Sequence, residues 1–329
     1  MRLSVRALHE ALGAHGQPVT PGQGSLEATL PGQEPERTRD APLLHEAAMG
    51  ARAVGAPTGT EAFGAFLDGV QESRVVAYVG VHPVVAGRTG AVVRARVARR
   101  LVTWGAGPLV GEALYAPVAQ LPAGVAEALA GTGWPVVDTM GGPGPEASSH
   151  PQHWLRQAVH LVQRAREAQE RALAEAWCAA PDAPPLYLDG GLPAAPAVLA
   201  SAGAVGVVKS HHTLYASGAA LGVVCALRAG ERSSVFVVET RWRPPVASWY
   251  LRLRAPAGRE PLWGLVRLES PLEVLGAGAA ADAEADRRSR WVLAEAAPLS
   301  LPDARWDTMA YGIRDCEVFL RATLGAAGR

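Results

Sequence analysis

The sequence predicts an α/β fold in which a mixed sheet is flanked by helices, and three features of the 329-residue chain carry that expectation. Two short apolar runs, AFLDGV through Asp68 and LYLDGG through Asp189, lead straight into Asp-Gly, as strands that end at a turn do. Between them His153 to Trp177 holds apolar residues at helical spacing with no Gly or Pro inside. A further strand-like run, VGVVK, follows the second Asp-Gly, so strand, long helix and strand alternate as a crossover back into one sheet requires.

Taken in order, residues 1–60 are broken by Gly and Pro (QPVTPGQGSLEATLPGQEPERTRDAP), with a short helix at each side, and read as a partly flexible N-terminal extension. The main domain, residues 61–329, opens with a first strand into Asp68. RVVAYVGVHPVV and AVVRARVARRLVTW are Val-rich with partial alternation, and GRTG between them reads as a turn, giving three consecutive antiparallel strands. Residues 105–147 are less regular: AGVAEALAG reads as a short helix and MGGPGPEASS as a loop. The long helix stops at PDAPP, and LYLD resumes as a buried strand. Then come a Pro-bounded helical turn in PAAPAVLASAG, the strand VGVVK, and strands in SSVFVVETRW, ASWYLRLRA and LWGLVRLES. DAEADRRSRWVLAEA and ARWDTMAYGIRDCEVFLRATL read as two closing helices, and no internal repeat is visible.

An apolar fraction of 49% permits a substantial core, and Lys+Arg and Asp+Glu are both 31, so no global field marks a nucleic-acid binder. Local patches stay open. Lys209 is the sole lysine, and the arginine bias, with heavy Ala, Gly and Pro usage, fits a GC-rich genome. That bias leaves unexplained why one lysine survives directly after VGVV, which points to a chemical role there. Cys178, Cys225 and Cys316 are odd in number, far apart and without a C-x-x-C pair, so neither a disulfide framework nor a thiolate zinc site is indicated. The N-terminus lacks an apolar leader and no run approaches a membrane span, so a soluble cytoplasmic protein is expected.

A sheet whose first strand carries an Asp and whose fourth carries another beside it, with a Glu from the helix between, offers oxygen ligands suited to Mg²⁺ or Mn²⁺. Two such ions clamp the attacking and leaving oxygens of a phosphodiester displacement. Asp68 and Asp189 fit the strand roles. Of the helix glutamates, Glu167 and Glu170 share a face and Glu175 is displaced around the helix, so Glu170 is the first choice and Glu167 the second. Against this, Asp-Gly is a common turn dipeptide, and glutamates on an Arg-rich helix usually form a solvated face.

The series FLDGV, a long helix with REAQER, LYLDGGL, VGVVKSHHTLY, SWYLRL, LWGLVRLE and an Arg/Trp-rich C-terminal helix resembles the NurA nuclease family over residues 61–324. The resemblance implies a ribonuclease H-like fold related to PIWI domains, Mn²⁺-dependent DNA end resection in repair or defence, a ring-like homodimer, and partnership with the hexameric HerA ATPase. It maps the family's metal ligands to Asp68, Asp189 and Glu170. Many members add a histidine near the C-terminus, where this chain reads LPDARWDTMAYGIRDCE, leaving Asp307 as the substitute ligand. The departure keeps a rival open: a catalytically silent ribonuclease H-like module that binds DNA or a translocase.

Lys209 is expected to bind a phosphate as a point charge. Its neighbours His211 and His212 would face opposite ways on a strand, and His150 and His153 read as loop residues beside Pro151. Arg241, Arg243, Arg252, Arg254 and Arg267 recur beside Trp242, Trp249, Tyr250 and Trp263. That pattern suits a groove for a nucleic-acid strand and equally a sheet with one buried face.

Overall fold

The computed structural model describes residues 4–15, 19–22, 36–57, 62–122, 124–140, 150–241, 243–256, 258–296, 308 and 310–327. In chain order the elements are α1 (Val5–Gly13), β1 (Val19–Pro21), β2 (Arg37–Thr38), β3 (Ala51–Ala53), β4 (Ala65–Val79), β5 (His82–Val97), β6 (Arg100–Thr103) and β7 (Leu109–Ala116). They continue through α2 (Val125–Ala130), β8 (Val136–Asp138), α3 (Pro151–Ala179), β9 (Leu186–Asp189), α4 (Pro196–Leu199), β10 (Ala204–Val208) and β11 (Thr213–Leu214). The last are α5 (Gly218–Ala226), β12 (Glu231–Ser233), β13 (Phe236–Thr240), β14 (Arg243–Arg252), β15 (Leu265–Pro271), α6 (Leu272–Leu275), α7 (Gly278–Ala296) and α8 (Tyr311–Ala327).

The fold is α/β, one large mixed sheet flanked by helices. Its spine runs β3-β12-β14-β15-β10-β9-β4-β5-β7-β8. At the centre β4, β9 and β10 are parallel, while β5 and β7 complete an antiparallel meander on one side and β15 and β14 extend the sheet antiparallel on the other. The strand carrying Asp68 and the strand carrying Asp189 are thus immediate neighbours, joined by a crossover that contains α3.

Both faces of the central strands are covered, so both parities are apolar. Leu67 and Leu188 pack with Leu173 and Trp177 of α3. Phe66 and Tyr187 pack on the other face with Trp291 of α7 and Ile313, Cys316 and Leu320 of α8. His150 caps α3, its Nδ1 accepting from the Gln152 N–H at 3.1 Å, and Pro151 takes a first-turn position where no N–H is needed. The expected loop at His150–His153 is therefore the start of the helix.

The first hairpin is cut differently from the sequence reading. β4 runs straight through Asp68-Gly69 to Val79, the turn falls at Gly80, and GRTG (87–90) lies inside β5. The two glycines of GRTG serve close approach: a Cβ on Gly87 would stand 2.5 Å from both Tyr115 and Val162, and one on Gly90 would stand 3.3 Å from Leu320. Before residue 61, the described segments are tied into the fold. β1 pairs with β4, β3 with β12 and β2 with β11, and Leu8 and Leu12 of α1 are buried against α2. α5, GAALGVVCA, had no sequence signal as a helix because it is apolar all round and shows no amphipathic period. No helix among the described residues is long and apolar enough to cross a membrane.

α8 docks through Gly312, which lies flat on the Phe66 ring; a Cβ there would sit 2.2–2.4 Å from three ring carbons. Gly312→Ala should lower stability by about 1–3 kcal/mol through overpacking, although Ala favours a helix by about 1 kcal/mol. Urea unfolding measures this, and an unchanged midpoint would contradict the close seating of α8.

Candidate metal centre

The parallel pairing of β4 with β9 runs Ala65↔Leu186, Phe66↔Tyr187 and Leu67↔Leu188, and stops there. Asp68 and Asp189 are the next residue on each strand, so they stand side by side where the strands part. Alternation puts Asp68 on the face of Phe66 and Asp189 on the face of Tyr187, which is the same face. On β10, Val207 is the register partner of Asp189, and Lys209, two residues on, continues the face of Val207. Lys209 Nζ donates to Asp189 Oδ2 at 2.7 Å.

Glu170 arrives from α3 on the other side of β4. It can do so because Gly69 has no side chain: a Cβ there would lie 2.3 Å from Glu170 Oε1 and 3.0 Å from Arg166 Cγ. Arg166 holds the Glu170 carboxylate in an i,i+4 ion pair and donates to Gln71 Oε1 at 3.1 Å. Glu167 is exposed and accepts from Gln163 at 2.7 Å. Glu175 points elsewhere, accepting from the Ala197 N–H at 3.1 Å at the start of α4. Asp307 lies outside the described residues.

Electrostatics bind the set together. Burial pushes the Asp68 carboxyl well above its usual range, the Asp189 and Glu170 charges push it further, and Lys209 and the Gly69 N–H, 2.8 Å from Asp68 Oδ1, oppose them. Burial also raises Glu170 to about 7, opposed by Arg166 and aided by Glu167 and Asp189. Glu170, Asp189 and Gly190 line a cleft of about 420 Å³ whose rim carries Arg164, Arg166 and Arg171. Asp68 stands back from it, 6% exposed.

This donor set fits a hard divalent cation. Asp189 and Glu170 each have one direct ion-pair partner, Lys209 and Arg166, whereas Asp68 has none and is raised by burial and by the like charge of its neighbours, a demand that a bound dication would meet. The oxygens are not drawn within 4.8 Å of one another; the described group that meets this limit is His45, Glu46 and Asp282. There Arg52 bridges Glu46 and Asp282 and Arg232 holds Asp282 at 3.0 Å, so both carboxylates already have an arginine partner, while Glu46 Oε2 is buried without a hydrogen-bond partner.

The arginine and aromatic series resolves mostly into the buried reading. Arg252 is fully buried and donates to the carbonyls of Cys225, Leu227, Pro261 and Trp263. Arg243 and Arg267 both grip Glu269, and Arg254 reaches the Ala296 carbonyl. Trp249 donates to Ser289 Oγ at 2.9 Å, and Tyr250 Oη accepts from the Tyr215 N–H at 2.8 Å, both side chains fully buried. Arg241 is exposed, Trp263 is half-buried, and Trp242 lies outside the described residues. His211 donates Nε2–H to the Leu265 carbonyl, its Nδ1 buried without a hydrogen-bond partner. The cleft arginines Arg164 and Arg171 were not singled out by the sequence reading, although their i,i+7 spacing on α3 bracketing Glu167 and Glu170 was available. No protein-family model matches the chain, and no curated protein matches it significantly.

Glu170 takes up its proton more readily in the folded chain than in the unfolded one, so its share of stability is complete at low pH. That share is lost as pH rises from about 4.5 through about 7. In chelator, Glu170→Gln should therefore gain stability relative to wild type across that window, by up to about 3 kcal/mol. Urea titrations at several pH values measure it, and a pH-independent difference would contradict the raised value.

Proposed function

We propose that the chain is a metal-dependent DNA nuclease of NurA type, cutting single strands or resecting ends, with Asp68, Glu170 and Asp189 holding Mn²⁺ or Mg²⁺. The observation that carries this reading is the meeting of two strand aspartates, on adjacent parallel strands and one face, with a helix glutamate admitted over Gly69. The strand order β7-β5-β4-β9-β10, with the last three parallel, supports a ribonuclease H-like core.

When bound, the ions supply positive charge to the attacking and leaving oxygens of a phosphodiester. The protein's part is positioning. Asp68 and Asp189 are held on strands whose neighbours are buried, and Glu170 is aimed by Arg166. Lys209 supplies a point charge for a phosphate oxygen beside Asp189. Arg164 and Arg171 are exposed, make no ion pair with a described residue, and lie two helical turns apart, about 10.5 Å, along the cleft. They suit the sugar-phosphate chain, whose binding depends on clustered cations. Because the chain is neutral overall, a homodimer pooling two clefts and a HerA-like hexameric ATPase feeding the strand in the cytoplasm complete the proposal.

A second reading, a silent ribonuclease H-like adaptor for DNA or a translocase, draws on the hold that Lys209 and Arg166 already have on Asp189 and Glu170. Plasmid and oligonucleotide digestion with Mn²⁺, Mg²⁺ or chelator, with and without the ATPase, decides between them.

Under the nuclease reading, Asp68→Ala, Asp189→Ala and Glu170→Gln each lower Mn²⁺-dependent cleavage by more than about a hundredfold while the fold persists. Glu175→Gln keeps activity and costs about 1 kcal/mol or less at the start of α4. Near-wild-type cleavage by either aspartate variant would remove the assignment.

Gly69→Ala leaves every ligand in the chain yet displaces Glu170, a flexible side chain that can yield. Thermal stability should change little while cleavage falls as far as in Glu170→Gln. Full activity in this variant would show that Glu170 does not act across Gly69.

A further inference from the structure

Lys209 and Asp189 raise a question of occupancy. The ammonium sits 2.7 Å from Asp189 Oδ2, on the face that Asp68 shares, and its side chain is four-fifths buried. A dication on Asp189 and Asp68 would have to share this space with a positive charge. At such separations the repulsion between a protein cation and a dication is large even with partial screening. We propose that Lys209 is an exchangeable internal counterion: it neutralises Asp189 when no metal is bound, and metal entry displaces it from that carboxylate. Displacement turns the ammonium from a carboxylate partner into a free donor beside Asp189, where a phosphate oxygen can take it. This rests on the metal-site reading above and adds to it a coupling between metal binding and the release of Lys209.

Arg166 on Glu170 does not share the role. Its guanidinium is held from a second side by Gln71, so it stays as an aiming group while the ammonium, on a flexible stem with three rotatable donors, can move. One detail of composition makes the proposal open to direct observation: Lys209 is the only lysine in the chain.

The test uses the full chain carrying isotope-labelled lysine, whose single side-chain signal reports Lys209 alone, titrated with diamagnetic Mg²⁺. Calorimetry follows Mn²⁺ binding in parallel. The Lys209 signal should move in step with metal saturation, and Lys209→Met should bind Mn²⁺ about tenfold or more tightly than wild type. Lys209→Arg should not gain affinity. Saturable metal binding with an unmoved lysine signal would overturn the exchange while leaving the metal site standing, and so would equal or weaker binding by a folded Lys209→Met. A wild type that binds neither ion would remove the metal-site reading and the exchange with it. The lysine signal is read in wild-type protein, so the test holds even if Lys209→Met fails to fold.

Discussion

A carboxylate buried among like charges, Asp68, is the constraint around which the rest of the site is arranged. Its strand cannot turn it to solvent, because β4 continues for eleven residues past it and is paired with β5 along almost its whole length. The surroundings must therefore accommodate the charge. β9 parts from β4 directly after Leu67 and Leu188, which opens room beside Asp68, and Lys209 is brought in from β10 by strand register. Gly69 removes the one side chain that would keep Glu170 away. Each adjustment follows from backbone geometry, so the site is a property of the sheet's centre and not of a mobile loop.

What the sequence made legible was whatever is periodic. Alternation along FLDGV and LYLDGG and the 3.6-residue phase of α3 single out Asp68, Asp189 and the Glu167/Glu170 face and set Glu175 apart, whereas the adjacency of the two strands is a matter of sheet topology that periodicity does not carry. What it concealed depended on contacts distant in sequence. GRTG looks like a turn, but its glycines answer to Val162 and Leu320, far along the chain. The short strands before residue 61 take their order from β4, β11 and β12, which their own Gly- and Pro-rich composition cannot announce. Arg252 is the clearest case. Beside Trp249 and Tyr250 it has the look of a nucleic-acid contact, yet it ties four carbonyls from two separate segments together inside the protein. A chain that uses arginine almost to the exclusion of lysine draws on it for structural cross-links, which weakens any inference from arginine pattern alone.

The same sheet holds a second buried acid whose fate is opposite, and the contrast separates support from chemistry. Burial would raise Glu269, but Arg267 and Arg243 outweigh it and hold the carboxyl at about 2. It therefore stays ionised at neutral pH. Glu269 accepts the Leu192 N–H at 2.9 Å while Arg243 donates to the Leu192 carbonyl at 2.7 Å, so both backbone groups of Leu192 are clamped. Gly190, at φ +114°, makes the turn that joins this clamp to Asp189. Glu269 and its two arginines thus anchor the loop that leads out of Asp189. Where one acid has been given two guanidinium partners, its charge is spent on structure; Asp68, given only a shared ammonium and a backbone N–H, keeps an unmet demand for positive charge. That difference in partners, on one sheet and under similar burial, is what makes Asp68 and its neighbours the place to look for a bound cation.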